Sequence, residues 1–261
     1  MKLNTLAGTI KRRLLVNYRV DPDVAADILP PPFRPAVVGG YAIAGICLID
    51  LSIRPTWLPK RASFSSLNGA HRIAVTLPDG SDAVYIPRRD TNSRLNTLVG
   101  GKLFPGTHHL ATVTMHDLGD KLSVELTSRD GSTQVGVTAS TAHGLPDASV
   151  FDSVQHVSDF FEQGSLGYSD TPGDGGCYDG LEIRAQNWSV TPLAVEKVES
   201  TFFDDRALFP HGSAVLDHAV LMRDIQHTWH TRARLEVPNP AQTPRTPSPP
   251  GAVDQPARKR L

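Results

Sequence analysis

The feature that most constrains this chain is a run of short alternating segments separated by turn residues. His108 to Asp117, Lys121 to Ser128 and Thr133 to Ser140 each alternate apolar and polar side chains with the period of two that sets one face of a strand on a core. Gly119-Asp120 and Asp130-Gly131 stand between them, where tight hairpin turns belong. "IKRRLLVNYRV" behaves likewise, with Ile10, Arg12, Leu14, Val16 and Tyr18 on one face and Arg13, Leu15, Asn17 and Arg19 on the other. Tyr41 to Ile53 is apolar on both faces over its first part, which predicts a strand covered on each side.

Further strands are expected at His71 to Leu77, Ala83 to Ile86, Leu181 to Val190, Ala194 to Thr201 and Val215 to Trp229. Helices interrupt them in few places. Asp21-Pro22 reads as an N-cap with proline at the first helical position, and Pro30, Pro31 and Pro32 stop that helix. "SVFDSVQHVSDFFEQG" places Phe151, Val154, Val157, Phe160 and Phe161 at helical spacing and ends at Gly164. "NSRLNTLVGG" fits a shorter helix stopped by Gly100-Gly101. Roughly ten strands with mostly short turns and two or three short helices favour an antiparallel meander closed into a barrel over alternating βαβ units.

Composition narrows the function classes. The chain has 26 basic and 27 acidic residues, a net charge of -1, without the basic stripe that phosphate backbones require, so no nucleic-acid partner is expected. No stretch reaches the ~20 apolar residues of a membrane helix, and no cleavable leader is evident, so a cytoplasmic protein is the expectation. Cys47 lies in an apolar run, where a thiol acts as a small hydrophobe, and is not expected to pair with the distant Cys177. Residues 1–237 read as one domain. Residues 238–261 hold seven of the 21 prolines and almost no large apolar residues, and are expected to be a disordered tail.

The polar residues concentrate in "YIPRRDTNSRLNTLVGGKLFPGTHH", Tyr85 to His109. Arg88, Arg89, Asp90 and Arg94 are the ligand-binding candidates, because an arginine pair at a strand end can hold a carboxylate bidentately. The competing reading pairs Arg89 or Arg94 with Asp90 at the surface. Lys102, His108 and His109 are the candidates for chemistry. A lysine used as a nucleophile must be neutral near pH 7, and nearby arginines favour that. His108 and His109 cannot both face one site if they begin a strand. His227 and His230 in "HTWH" lie on a strand that splays them apart, so no metal is expected, and no motif calls for a cofactor.

"LLVNYRVDPDVAADILPPPFRP", the Tyr85 to His109 block, "VSDFFEQGSLGYSDT" and "FFDDRALFPHGSAVLDHAVLMRDIQHTWH" together resemble the successive blocks of the bacterial YqjF-like family, domain of unknown function 2071, over about residues 10 to 230. That family is in turn similar to acetoacetate decarboxylase. The resemblance implies a cone-shaped, largely antiparallel β-barrel with a buried ligand cavity near this block. The decarboxylase pattern continues from its glycine, aromatic residue and proline into two lysines, the first forming a Schiff base. Here Phe104-Pro105 is followed by Gly106-Thr107 or, with a small insertion, by His108-His109, and Lys102 falls level with the family's arginine. The Schiff-base mechanism is therefore not carried over.

Three functions follow. The first is a small-molecule-binding protein on the decarboxylase-like barrel, taking a small organic acid or an apolar molecule. The second is a lyase or hydratase acting on a keto or carboxylic acid, with His108 or His109 as general acid or base and an arginine as anion anchor. The third is a structural or interaction protein with a filled barrel. Assembly into a homo-oligomer is compatible with each. Removing Arg88 or Arg89 is expected to weaken carboxylate binding and to leave stability nearly unchanged.

Overall fold

The computed structural model describes residues 5–53, 63–99 and 104–237. In chain order the elements are β1 (Thr5–Val20), α1 (Pro22–Ile28), β2 (Arg34–Pro35), β3 (Val37–Val38), β4 (Tyr41–Ile53), β5 (Phe64–Thr76), β6 (Asp82–Thr91), α2 (Arg94–Val99), β7 (His108–Asp117), β8 (Lys121–Ser128), β9 (Gln134–Thr141), α3 (Val154–Gln163), β10 (Leu166–Asp170), β11 (Cys177–Ala185), β12 (Thr191–Ser200) and β13 (Ala214–Glu236). Lys102 and the proline-rich segment 238–261 lie outside the described residues.

Local chemistry accounts for the helix ends. The Asp21 carboxylate accepts from the backbone N–H of Asp23 at 2.9 Å, and Pro22 occupies the first turn of α1. Ser153 caps α3 by accepting from the N–H of His156, and Val157 and Phe161 turn inward. In β8, Leu122, Val124 and Leu126 are buried while Lys121 and Glu125 are exposed, the period of two predicted for it. The β7–β8 and β8–β9 turns use Gly119 and Gly131 at φ of +94° and +72°, a region open to glycine at no steric cost.

The strands form one mixed sheet. Its main order is β11-β10-β6-β7-β8-β9-β12-β13-β1-β4-β5-β2, and two further pairings, β5–β6 and β11–β13, join strands that lie apart in that order. The pairings thereby run in two closed circuits. One passes through β6, β7, β8, β9, β12, β13, β1, β4 and β5. The other passes through β11, β13, β1, β4, β5, β6 and β10.

The expectation of an antiparallel sheet needs correction at β6. This strand pairs parallel with both β7 and β10. Its sequel crosses over through α2 before β7 begins, and a crossover of that length returns a strand in the same direction where a tight turn would reverse it. The predicted strand Ala83 to Ile86 also continues through Arg88 and Arg89, and β10 carries no alternation long enough to be read beforehand.

Strands β1, β4 and β13 separate two cores. Leu14, Val16, Ala44, Ile46, Leu48, Ala219 and Leu221 pack into the first circuit with Val124, Leu126 and Val137. The alternate residues Leu15, Ile43, Cys47 and Val220 face the other way, under Phe151, Val157 and Phe161 of the α3 region, while Ile10, Leu51, Met222 and Ile225 continue that face toward Leu181 and Ile183 of β11. Tyr41 to Ile53 is thus apolar on both faces because both are covered.

Gly45, central in β4, shows how tight this shared wall is. A Cβ there would lie 2.5 Å from the carbonyl oxygen of Val16 and 2.9 Å from Oδ1 of Asn17. Gly45→Ala is expected to cost about 1–3 kcal/mol in urea denaturation, because backbone must shift to admit the methyl group. Gly144→Ala, where a Cβ meets nothing within 4 Å, is expected to be neutral or stabilising by up to about 1 kcal/mol.

Candidate functional site

The parallel register of β6 and β7 decides which residues of the arginine block meet. Arg89 pairs with His108 and Asp90 with His109, so Arg89 and His108 lie side by side on one face and Asp90 and His109 on the other. The block is therefore two clusters, back to back across one sheet.

On the first face lies a cavity of about 60 Å³, bounded by Cys47 and Ile49 of β4, Arg89 of β6, Phe104, His108 of β7 and Trp229 of β13. A water needs roughly 10–15 Å³ measured this way, so the space suits a ligand of a few heavy atoms. Arg89 donates through Nε to the Ser169 hydroxyl at 3.1 Å and has no ion-pair partner among the described residues. Burial lowers its pKa to about 10, which leaves it charged at neutral pH. Burial first, and then the charge of Arg89, lowers His108 to about 4, so the imidazole is neutral at pH 7. Its Nδ1 is buried without a partner among the described residues. Gly106, at φ +81°, admits this packing: a Cβ there would lie 2.7 Å from Cβ of Ser169.

The second face is an ion-pair cluster. Arg88 reaches Asp90 at 2.9 Å and Asp130 at 3.2 Å, and His109 Nδ1 lies 3.1 Å from Asp130. The Asp90 carboxyl is only 1% exposed, and burial pushes its pKa up even though Arg88 opposes the shift. Asp130 is held far below the carboxylate range by the hydroxyls of Ser128 and Ser132. Arg94, at the start of α2, is exposed.

Of the predicted residues, the structure brings Arg89 and His108 to the cavity, sends Arg88 and His109 into the ion-pair cluster and leaves Arg94 at the surface. Asp90 borders the cavity but gives its carboxylate to Arg88. The expected partner of Asp90 was Arg89 or Arg94; it is Arg88, because residues two apart on a strand share a face. Three residues of the cavity face were not singled out from sequence. Cys47 borders the cavity, and Arg13 and Arg72 flank it on the neighbouring strands. A signal was present in the alternation for Arg72, which stands between Ala70 and Ala74 on one face of its strand; Arg13 shares its face with Asn17 and Arg19 and is not marked out in this way.

The fold is that of acetoacetate decarboxylase and its relatives. The chain aligns with acetoacetate decarboxylase from Legionella pneumophila at a TM-score of 0.56 and 13% identity, covering 88% of each chain. It aligns with an acetoacetate decarboxylase-like enzyme from Sphingomonas wittichii RW1 at 0.54 and 12%, covering 89% of this chain and 94% of the other. A third similar structure is the enduracididine biosynthesis enzyme MppR, complexed with the condensation product of pyruvate and imidazole 4-carboxaldehyde, at 0.53 and 11%, covering 89% and 88%. Within that fold class, the profile of DUF2071, described as "Uncharacterized conserved protein (COG2071)", matches residues 8–222, and the chain belongs to this family. No curated protein matches it.

The ion-pair cluster overturns one expectation about stability. Arg88→Met leaves the buried Asp90 carboxylate without its partner and should cost about 3 kcal/mol at pH 7. The unpaired carboxyl then titrates at a still higher pH than in the parent. The deficit should therefore shrink as pH falls through that raised range and Asp90 becomes neutral, which urea denaturation at pH 7, 6 and 5 would reveal.

Proposed function

We propose that the protein binds a small organic acid in the Arg89–His108 cavity, on a cone-shaped decarboxylase-like barrel, without a Schiff-base lysine. The observation that carries this reading is Arg89: a half-buried guanidinium with no carboxylate partner among the described residues, on the wall of a cavity with room for a few heavy atoms. An unpaired charge partly withdrawn from water is costly, and an anionic ligand would satisfy it through charge-assisted, bidentate hydrogen bonds. The apolar walls, Ile49, Phe104 and Trp229, would enclose the rest of the ligand. The closed circuits of strand pairing support the barrel description. The cavity itself weighs against a purely structural protein with a filled interior.

A 2-oxo or 3-oxo acid fits best within this class. The similar MppR structure holds a pyruvate-derived compound, and the other neighbours are decarboxylases or decarboxylase-like. The second reading, a lyase or hydratase, is favoured by one observation: His108 is neutral at pH 7 and presents a buried ring nitrogen with no partner among the described residues, open to accept a proton.

Titration calorimetry with pyruvate and acetoacetate should show binding to the parent protein, a loss of at least tenfold in Arg89→Met, and little change in Arg94→Met. Affinity should stay level between pH 5 and 9 and fall as pH passes about 10, where Arg89 loses its proton. Borohydride treatment with either acid should give no lysine adduct by mass spectrometry. A stable adduct at Lys102, or unchanged affinity in Arg89→Met, would overturn the reading.

A further inference from the structure

The face of the shared wall that carries the cavity holds more positive charge than one ligand contact needs. Cys47 pairs with Leu15 on β1 and with Ala70 on β5, and Ala70 pairs in turn with Arg89. Arg13 and Arg72 lie two residues from Leu15 and Ala70, so all three guanidinium groups issue from the same face as the Cys47 side chain. None of them forms an ion pair among the described residues. Arg72 is 5% exposed, stacks on Phe161 at 4.3 Å and has an Nε without a partner among the described residues; Arg13 lies over Trp188 at 5.3 Å, its Nε and Nη1 likewise unpartnered among them. Arg89 and Cys47 border the same cavity, with Arg72 one strand away from Cys47 on the same face.

Arg72 is held in place by a buried relay. It donates to Oδ1 of Asn17, whose amide nitrogen meets Nε2 of His218 at 2.9 Å, while Nδ1 of His218 lies 2.6 Å from Asp217. With Asn17 donating, His218 accepts at Nε2 and carries its proton at Nδ1, toward the carboxylate. A carboxylate at the far end of this relay thus orients the arginine without neutralising it by contact.

Reactive cysteines occupy electropositive surroundings that solvent or ligand can reach, whereas structural ones are sealed in apolar packing. Cys47 is only 6% exposed, but it borders the cavity beside Arg89 and His108. We propose that Cys47 is the nucleophile of this cavity, its thiol adding reversibly to the carbonyl carbon of a 2-oxo acid whose carboxylate is held by Arg89. The sulfur–carbon bond forms as the carbonyl π pair moves onto oxygen. The thiol proton passes to Nδ1 of His108 and from there to that oxygen. The net change is addition of S–H across C=O to give a thiohemiketal, with no oxidant or reductant. The inference rests on the carboxylate site proposed above, and it gives the cavity a covalent step in which no lysine takes part.

Two measurements test it. In the parent protein, iodoacetate should alkylate Cys47 about tenfold faster than iodoacetamide, because the arginines gather the anionic reagent. Cys177, beside Asp174, should show the opposite order. Pyruvate should protect Cys47 and leave Cys177 unaffected. With pyruvate labelled with carbon-13 at its carbonyl, NMR should show the bound carbon moving from the ketone to the tetrahedral region, in the parent and in Cys177→Ser but not in Cys47→Ala. If pyruvate binds by calorimetry while its carbonyl resonance stays in the ketone region, or if iodoacetamide is the faster reagent at Cys47, this inference fails and the binding reading stands. If calorimetry detects no pyruvate binding, both fail. Should Cys47→Ala not fold, the labelling order in the parent protein decides.

Discussion

The wall made by β1, β4, β5 and β13 is the constraint on which the rest of the molecule depends. It is shared by both circuits of strand pairing, so each of its faces is a core face. In the part of this wall that is buried on both sides, a polar group can reach a partner only inside the protein, and some nitrogens of Arg13 and Arg72 reach none among the described residues. Asn17, Arg72 and His218 are partnered through one another and through Asp217. The packing around them leaves no room for a methyl group at Gly45, so the polar relay and the steric closeness of the wall are one feature seen twice.

The two clusters of the Arg88–His109 block differ in how their charges are satisfied. On one face, Arg88 is paired with Asp90 and Asp130, and His109 also lies against Asp130. On the other, Arg89 has a single hydroxyl, a neutral histidine and a cavity. Opposite faces of one strand thus carry an ion pair and a cation without an ion-pair partner among the described residues. Retaining such a cation costs stability, and the anion proposed above would offset that cost.

Much of this was legible in the chain itself. The alternation of β7, β8 and β9 and the doubly apolar run of β4 have ends that the structure places where the pattern puts them or within a residue, because side-chain burial imposes its period directly on sequence. The caps at Asp21 and Ser153 are equally local. The predicted separation of His108 from His109 holds for the same reason: neighbours on a strand point apart. The parallel pairing of β6 was not legible, since turn chemistry near a helix does not report which strand a crossover will join. Arg72 was visible as a charge between Ala70 and Ala74, yet nothing local told that its strand and that of Arg13, 59 residues apart by number, would lie on either side of Cys47.

The sequence by itself determined the mainly β character, the helix starts, the family and the list of groups able to do chemistry, all of which follow from short-range periodicity, caps and motif order. Only the tertiary structure decided which arginine of the block has no ion-pair partner among the described residues. That choice depends on the register between β6 and β7 and on which face of the wall meets the cavity, and both are set by pairing and packing among residues far apart in the chain.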